Sequence, residues 1–203
     1  MNKVYFAAQF HSSASDPLQC PQSLVEVAFA GRSNAGKSSA INTITRNGKL
    51  ARTSKTPGRT QLINHFSLSE DRYLVDLPGY GFARVSKAKQ KQWQAAMTRY
   101  LVARDSLRGL MLVMDIRHPL TDSDWTLIDL QQQGESQLHV ILTKSDKVSR
   151  NQVVNTVSKT QAALADAGIE ATLQDFSALK HQGVKDVHSV LDHWLFGVPL
   201  STG

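Results

Sequence analysis

The 203-residue sequence has little of several features that mark whole classes of protein. Its one cysteine, Cys20, excludes a framework of intrachain disulfides, and no cysteines and histidines stand at the spacing of a zinc site. No apolar run reaches the length of a membrane span, and the N-terminus lacks a basic region followed by an apolar one. These absences predict a cytoplasmic protein without a membrane partner.

Internal repeats and low-complexity tracts are absent as well, and the length suits one domain with its own core. Apolar residues make up 41% of the chain and charged residues 20%, as in ordinary globular proteins. Residues 1–22 alternate polar and small residues around two prolines, and we interpret them as an N-terminal extension. Residues 23–203 are predicted to form the single domain.

Strand-like and helix-like patterns alternate after residue 23. This alternation predicts an α/β fold with a mostly parallel six-stranded sheet and helices on both faces. Segment 61–68 alternates apolar and polar residues, which favours an antiparallel edge strand, and residues 4–10 could add a short strand or pack on the core. The expected strands are 24–30, 61–68, 72–77, 108–115, 138–143 and 170–176, and the expected helices are 37–46, 87–104, 122–133, 150–167 and 184–196. Thr121 or Asp122 can cap the third of these helices, Ser149 can cap the fourth, and Gly168 can end the fourth.

Residues 31–39, GRSNAGKSS, fit the pattern G-x-x-x-x-G-K-[ST] of a phosphate-binding loop. They lie between a strand pattern and a helix pattern, as such a loop requires. The glycines let backbone N–H groups point at phosphate oxygens, where the start of a helix adds positive potential. Lys37 should reach the outer phosphates and the Ser38 hydroxyl should ligate Mg²⁺. The alternative is a glycine-containing turn before an ordinary helix.

Asp76-Leu77-Pro78-Gly79 matches D-x-x-G at the end of the next apolar strand. A carboxylate there can hold the Mg²⁺ shell through water, and the Gly79 N–H can meet a γ-phosphate. The four-residue pattern alone is weak, since a plain turn explains it equally well. Its place at a strand end, 39 positions after Lys37, strengthens it.

Thr143-Lys144-Ser145-Asp146 matches [NT]-K-x-D after another apolar strand. Guanine presents two neighbouring donors, which one carboxylate at Asp146 can accept together, whereas adenine offers no such pair. The Lys144 stem can lie along the base plane. Phe176-Ser177-Ala178 ends the last predicted strand, where the Ala178 N–H could donate to the guanine oxygen; this is the least specific motif.

A polar loop at 48–60 follows the first helix and should close over the γ-phosphate and Mg²⁺. Thr60 is the preferred second Mg²⁺ ligand, and Thr56 is the alternative. Residues 46–91 hold ten basic and three acidic side chains, whereas the whole chain has a net charge of +6. This local excess is either a solvated face or, as we favour, a surface for a polyanion such as RNA.

Four segments closely resemble the EngB (YihA/YsxC-type) bacterial ribosome-assembly GTPases, within the TrmE-Era-EngA-EngB-Septin-like superfamily: GRSNAGKSS at 31–39, KTPGRTQ at 55–61, DLPGYGFA at 76–83 and TKSD at 143–146. DIRHP at 115–119 is similar to a further landmark of that family. The resemblance runs from about residue 24 to the C-terminus. It implies a Ras-like GTPase domain, Mg²⁺-dependent GTP hydrolysis and maturation of the large ribosomal subunit on rRNA, with roles in cell division and septation. We expect a monomer. The GTP contacts it implies are Gly31, Arg32, Ser33, Asn34, Ala35, Gly36, Lys37, Ser38, Gly58, Arg59, Thr60, Gln61, Leu62, Asp76, Leu77, Pro78, Gly79, Thr143, Lys144, Ser145, Asp146, Phe176, Ser177 and Ala178.

Many regulatory GTPases carry a glutamine directly after D-x-x-G to orient the attacking water, but here that residue is Tyr80. We therefore expect slow intrinsic turnover and assign no catalytic base. Asn34 resembles an asparagine that ligates K⁺ in some related GTPases, where the cation neutralises developing charge. A side-chain hydrogen bond that stabilises the loop is the equally weighted alternative for Asn34.

Overall fold

A computed structural model describes residues 3–52, 62–81 and 87–200, with the backbone alone described at 87–90. The helices are α1 (Lys37–Thr45), α2 (Lys87–Ala103), α3 (Asp122–Gln131), α4 (Arg150–Asp166) and α5 (Val184–Phe196). The strands are β1 (Gln9–Ala14), β2 (Val25–Gly31), β3 (Ile63–Ser69), β4 (Arg72–Asp76), β5 (Leu107–Asp115), β6 (Gln137–Thr143) and β7 (Ala171–Asp175). None of the helices in the described ranges is long and apolar enough to span a membrane.

These strands form one sheet in the order β1-β3-β4-β2-β5-β6-β7. The pairs β2 with β4, β2 with β5, β5 with β6 and β6 with β7 are parallel. The two pairs that β3 forms, with β4 and with β1, are antiparallel. The predicted α/β class with a mostly parallel sheet is therefore confirmed.

Helices cover both faces of the sheet because alternate side chains of the central strands are apolar on each side. On one face, Val27 and Phe29 of β2 pack with the apolar residues of α1 and α5. On the other, Ala28 and Ala30 pack with those of α2, α3 and α4. Strand β5 is buried almost throughout, as expected for a central parallel strand.

The prediction of six strands was wrong, because β1 adds a seventh at the outer side of β3. The segment predicted as an edge strand, now β3, therefore lies inside the sheet. Strand β1 reads QFHSSA and exposes most of its residues, so it lacks the apolar pattern of a buried strand. Its place depends on backbone pairing with β3, and residues 3–7 before it form a 3₁₀ helix.

The 3₁₀ helix is held on the core by Tyr5, which is fully buried. The Tyr5 ring stacks on His188 of α5 with 4.5 Å between ring centroids. Its hydroxyl donates a 2.8 Å hydrogen bond to Asp192, one turn further along the same helix. Residues before the predicted domain boundary at 23 thus contribute to the same sheet and core.

Helix termini follow local sequence signals. Thr121 caps α3, and the carboxylate of Asp124 accepts its backbone N–H and its hydroxyl. Ser149 caps α4 and accepts the Gln152 N–H. Gly168, with φ of +72°, lies just past the end of α4, where a left-handed residue terminates a helix. The expected caps are confirmed.

Candidate functional site

Three of the predicted motifs lie at the carboxyl ends of strands in the centre of the sheet. Residues 31–38 begin at the end of β2, 76–79 at the end of β4 and 143–146 at the end of β6. Because β4, β2, β5 and β6 are successive parallel strands, these ends meet at one edge of the sheet. That edge is where open α/β sheets bind ligands.

The phosphate-binding loop connects β2 to α1 through two left-handed residues. Asn34 has φ of +64° and Gly36, the N-cap of α1, has φ of +103°. Asparagine tolerates this conformation better than most residues, which gives Asn34 a backbone reason for its place. Among the described residues the Asn34 side chain makes no hydrogen bond, and both roles expected for it stay predictions.

Two of the loop's positions favour glycine, Gly31 for lack of space and Gly36 for its positive φ together with a tight contact. A Cβ at Gly31 would lie 2.6 Å from the carbonyl oxygen of Val113 on β5. A Cβ at Gly36 would lie 3.2 Å from the hydroxyl oxygen of Thr143 on β6. The loop is therefore packed directly on the strand ends behind it, and Thr143 donates hydrogen bonds to the carbonyls of Ala35 and Met114.

Lys37 and Asp76 meet where α1 begins and β4 ends. The Lys37 ammonium donates a hydrogen bond to Oδ1 of Asp76, and both side chains are largely buried. The sequence predicts phosphate contact for the first residue and the Mg²⁺ shell for the second. The residue predicted to bind phosphate therefore contacts the residue predicted to hold the Mg²⁺ shell.

Lys144 joins the base motif to the phosphate-binding loop. Its backbone is left-handed, with φ of +62°, and its ammonium donates to the Asn34 carbonyl at 2.7 Å and to Oδ2 of Asp115 at 2.9 Å. Asp115, the last residue of β5, also accepts two side-chain hydrogen bonds from Arg117. Partial burial opposes ionisation of Asp115, but these bonds outweigh it and hold its pKa far below the usual range.

The sequence prediction missed Asp115 as a site residue, although it named the DIRHP segment that contains it. A carboxylate at the end of a buried strand was the available signal. What the spacing could not show is that Asp115 lies beside Lys144, which directly follows the adjacent strand β6.

Asp146 is held by the segment after β7. The Ser177 hydroxyl donates a 2.6 Å hydrogen bond to Oδ1 of Asp146, and the Ser145 N–H donates to the Phe176 carbonyl at 3.1 Å. Ser177 is fully buried and also accepts the Lys180 N–H. The hydrogen bond from Ser177 lowers the pKa of Asp146, which favours the ionised form. The least specific motif is thus placed against the base motif.

Tyr80, at the position where many GTPases have glutamine, is buried against the first turn of α3. Its side chain is 4% exposed and its hydroxyl donates to Oδ1 of Asp124 on α3 at 2.8 Å. Its backbone stays at the site, because the Ser33 N–H donates to the Tyr80 carbonyl at 2.9 Å. The residue contacts the core through its ring and the phosphate-binding loop through its main chain.

Several predicted residues fall outside the described ranges. Leu62, half-buried just before β3, is described, as are Leu77 and Pro78. The residues of the predicted loop and site that lie outside are Thr53, Thr56, Pro57, Gly58, Arg59, Thr60 and Gln61, together with the basic side chains of Lys55, Arg84, Lys87 and Lys89.

The oxygen donors at the site suit Mg²⁺. Within the described ranges, no group of three or more His, Cys, Asp or Glu residues could hold a metal. Ser38, the second residue of α1, supplies a hydroxyl, and Asp76 supplies a carboxylate at the end of β4. Magnesium prefers such oxygens, keeps few protein ligands and completes its octahedron with phosphate and water. The residues present fit that ion.

The sequence of residues 26–144 matches the model of the family described as 50S ribosome-binding GTPase. The chain belongs to this family. The matched residues include all of the phosphate-binding loop and D-x-x-G, and they end within the base motif. As a member of the 50S ribosome-binding GTPases, the chain has a GTPase domain, which agrees with the site geometry.

Solved structures of other GTPases share the fold. A probable GTP-binding protein engB is 20% identical with a TM-score of 0.66, over 86% of this chain and 100% of that one. Era in complex with MgGDPNP and nucleotides 1506–1542 of 16S ribosomal RNA is 16% identical with a TM-score of 0.66, over 89% and 60%. Aquifex aeolicus Era bound to GDP·AlF₄⁻ is also 16% identical, with the same TM-score over 84% and 56%.

Larger proteins share the fold over part of their length. The bacterial selenocysteine-specific elongation factor EF-Sec is 19% identical with a TM-score of 0.64, and the match covers 87% of this chain. The chain spans only 29% of that elongation factor. These likenesses confirm the Ras-like GTPase fold and do not single out EngB.

Proposed function

We propose that this chain binds GTP with Mg²⁺, hydrolyses it to GDP and phosphate, and acts as a nucleotide-switched assembly factor for the large ribosomal subunit. The single observation that carries the nucleotide part is the placement of Asp146. Its carboxylate is fixed by Ser177 at the carboxyl edge of the sheet, and Lys144 beside it contacts the phosphate-binding loop.

Guanine recognition follows from the charge of Asp146. An ionised carboxylate only accepts hydrogen bonds, and guanine offers two adjacent donors to it. The low pKa of Asp146 keeps that carboxylate ionised. The Ala178 N–H and the stem of Lys144 complete the proposed base contacts.

The triphosphate lies, in this proposal, along residues 31–38 at the start of α1. Gly36 and its neighbours present N–H groups, and Lys37 supplies a positive charge. Ser38 and Thr60 would ligate Mg²⁺, with Asp76 acting through water; the metal would neutralise charge on the phosphates. Contacts from residues 58–62 and 76–79 to the γ-phosphate belong to the same proposal.

Slow intrinsic hydrolysis is part of the proposal, because the buried Tyr80 side chain cannot orient water. Asn34 as a K⁺ ligand is a separate prediction. It is tested by comparing turnover in K⁺ and in Na⁺ at matched ionic strength, where faster turnover in K⁺ supports it and equal rates overturn it.

The partner is proposed to be a ribosomal precursor, contacted on its rRNA by the basic residues between 46 and 91. Arg46, Lys49, Arg52 and Lys91 are all exposed. The related Era was solved with a 16S rRNA fragment, which supports RNA as the class of partner. Lys49 and Arg52 directly precede residues 53–61, so the GTP state is expected to change RNA affinity. Cytoplasmic location, a monomeric state and the implied link with cell division and septation remain predictions.

Sedimentation with large-subunit precursors tests this proposal. We expect co-sedimentation with a non-hydrolysable GTP analogue, much less with GDP, and weaker binding as salt rises. The double variant Lys49→Glu, Arg52→Glu should lose binding, whereas Lys159→Glu, Lys185→Glu changes the net charge equally outside the basic segment and should keep it. No nucleotide dependence, or equal losses in both variants, would overturn the rRNA docking.

Two other functions remain as outcomes. A GTPase that regulates a protein partner without an RNA role would show salt-insensitive binding to that partner and no co-sedimentation with subunits. A P-loop kinase would transfer phosphate to a small acceptor, whereas the proposed GTPase transfers it only to water.

A further inference from the structure

The D-x-x-G segment is fixed at both ends by its backbone. At its start, the Leu77 N–H donates to the Phe29 carbonyl of β2 at 2.9 Å. At its end, Tyr80 pairs with Arg32 in a parallel bridge and accepts the Ser33 N–H. Gly79 lies between these two attachments, against the phosphate-binding loop.

The side chain of Tyr80 extends this attachment into the core. Its hydroxyl donates to Asp124, a carboxylate that is 1% exposed and whose other oxygen accepts the N–H and hydroxyl of Thr121. The Asp124 carboxylate therefore links Tyr80 to the first turn of α3. Burial, and then the neighbouring Asp124 charge, raise the pKa of Tyr80, so the phenol keeps the proton that it donates.

Helix α2 contacts the same segment through Trp93. Its indole N–H donates to the Pro78 carbonyl at 3.3 Å, and its ring lies 5.5 Å from the Tyr80 ring, centroid to centroid. Directly after Tyr80 comes Gly81 with φ of +75°. Gly81 is thus the first residue beyond the Tyr80 attachment, and as a glycine it adopts this left-handed backbone without strain.

We propose that Tyr80 is a positioning residue, which acts through its hydrogen bond to Asp124 to hold the Gly79 N–H at the γ-phosphate position. This inference rests on the proposed function, because it assigns Gly79 to GTP and not to GDP. A purely structural tyrosine would affect stability and both nucleotides equally.

Tyr80→Phe removes the hydroxyl and keeps the ring. We expect its affinity for a non-hydrolysable GTP analogue to fall about five- to twenty-fold, with GDP affinity changed by less than about two-fold. The value of kcat should fall with the analogue affinity, because the Gly79 contact is made at the γ-phosphate.

Tyr100→Phe is the matched control. Tyr100 is a fully buried tyrosine that donates a 2.9 Å hydrogen bond to another buried carboxylate, Glu26, and in the described chain its hydroxyl makes no hydrogen bond to residues 76–80. It should lower the melting temperature without changing the ratio of the two affinities. Thr121→Ala removes the other hydroxyl that donates to the Asp124 carboxylate and weakens the cap of α3, but it keeps the Tyr80 hydrogen bond. It therefore shows the effect of losing the cap alone.

Three results decide the matter. A selective loss of analogue affinity in Tyr80→Phe alone supports the inference. The inference is overturned if Tyr80→Phe loses equal affinity for GDP and for the analogue. It is also overturned if the ratio of the two affinities is the same in Tyr80→Phe and Tyr100→Phe, and Tyr80 is then only a core residue. If the unaltered protein binds neither guanine nucleotide, the proposed function fails instead.

Discussion

The Ser177 hydroxyl donates a 2.6 Å hydrogen bond to Oδ1 of Asp146, joining two segments that are 31 positions apart. The donor is a fully buried side chain, so the bond fixes the orientation of the Asp146 carboxylate. Because the same bond lowers the pKa of Asp146, it affects both where the carboxylate points and how strongly it stays ionised.

Ser177→Ala should therefore weaken GTP binding by about three- to ten-fold, as expected for one hydrogen bond to a charged group. Preference for GTP over ATP should remain, since Asp146 itself is unchanged. Without the bond the pKa of Asp146 rises, so GTP affinity should begin to fall at a higher pH in the variant as the solution is acidified. Binding isotherms between pH 7 and pH 4 measure both effects. Superimposable pH curves for the two proteins would contradict the role given to Ser177.

Gly36→Ala should lower GTP affinity by about ten-fold or more. The residue combines φ of +103° with a Cβ position 3.2 Å from the Thr143 hydroxyl oxygen, so alanine is strained and displaces the loop. Gly168→Ala is the matched control, because Gly168 is also left-handed but has open space around its Cβ. It should reduce the free energy of unfolding and leave affinity unchanged. The interpretation fails if both variants bind GTP equally well.

Lys144 and Arg117 both contact Asp115, but only Lys144 also contacts the phosphate-binding loop. Lys144→Met keeps the stem and should cost about ten-fold in nucleotide affinity. Arg117→Ala removes a more exposed ion pair, which contributes little, and should change affinity by less than about two-fold. Titration with a fluorescent GDP measures the nucleotide affinity of both variants. Equal losses of affinity would show that the ion pair with Asp115, and not the contact of Lys144 with the loop, is what nucleotide binding needs.

Two buried histidines should make stability depend on pH. Burial lowers the pKa of His65 to about 4, against the partly opposing charge of Glu26, and burial lowers that of His139 to about 4. The unfolded chain then binds more protons between pH 6.5 and pH 4, so the free energy of unfolding falls as pH is lowered through that window. Each histidine contributes at most about 1.4 kcal/mol per pH unit.

Urea unfolding at several pH values measures this slope. His65→Gln and His139→Gln should each make it shallower, whatever they do to stability at neutral pH. Carboxylates away from these histidines contribute to all three proteins alike. His139→Gln therefore isolates its histidine, whereas His65→Gln measures His65 together with the neighbouring Glu26. Parallel pH curves for the variants and the unaltered chain would show that neither histidine is held neutral by the fold.

The sequence predicted those parts of the site that depend on neighbours in the chain. The phosphate-binding loop, the caps at Thr121 and Ser149 and the strand before Asp146 all follow from local residue types and spacing. Apolar strands alternating with helices were enough to predict a parallel sheet, and a parallel sheet brings its strand ends together.

Contacts between distant segments could not be predicted in this way. Strand β1 is polar and exposed, so only pairing with β3 reveals it. The bond between Tyr80 and Asp124 spans 44 positions, and that between Lys144 and Asp115 spans 29. The first depends on how α3 packs on the sheet and the second on the register in which β5 pairs with β6, which a single sequence does not state.

The central claim is that the Asp146 carboxylate selects guanine. Asp146→Asn should lose about a hundred-fold in GTP affinity and gain affinity for xanthosine triphosphate, whose carbonyl can accept from the new amide. Asp166→Asn, an exposed carboxylate at the end of α4, is the control and should bind GTP normally. Side-by-side titrations of the three proteins with GTP, xanthosine triphosphate and ATP make the measurement. Undiminished GTP preference in Asp146→Asn, or preference of the unaltered chain for ATP, would contradict the account.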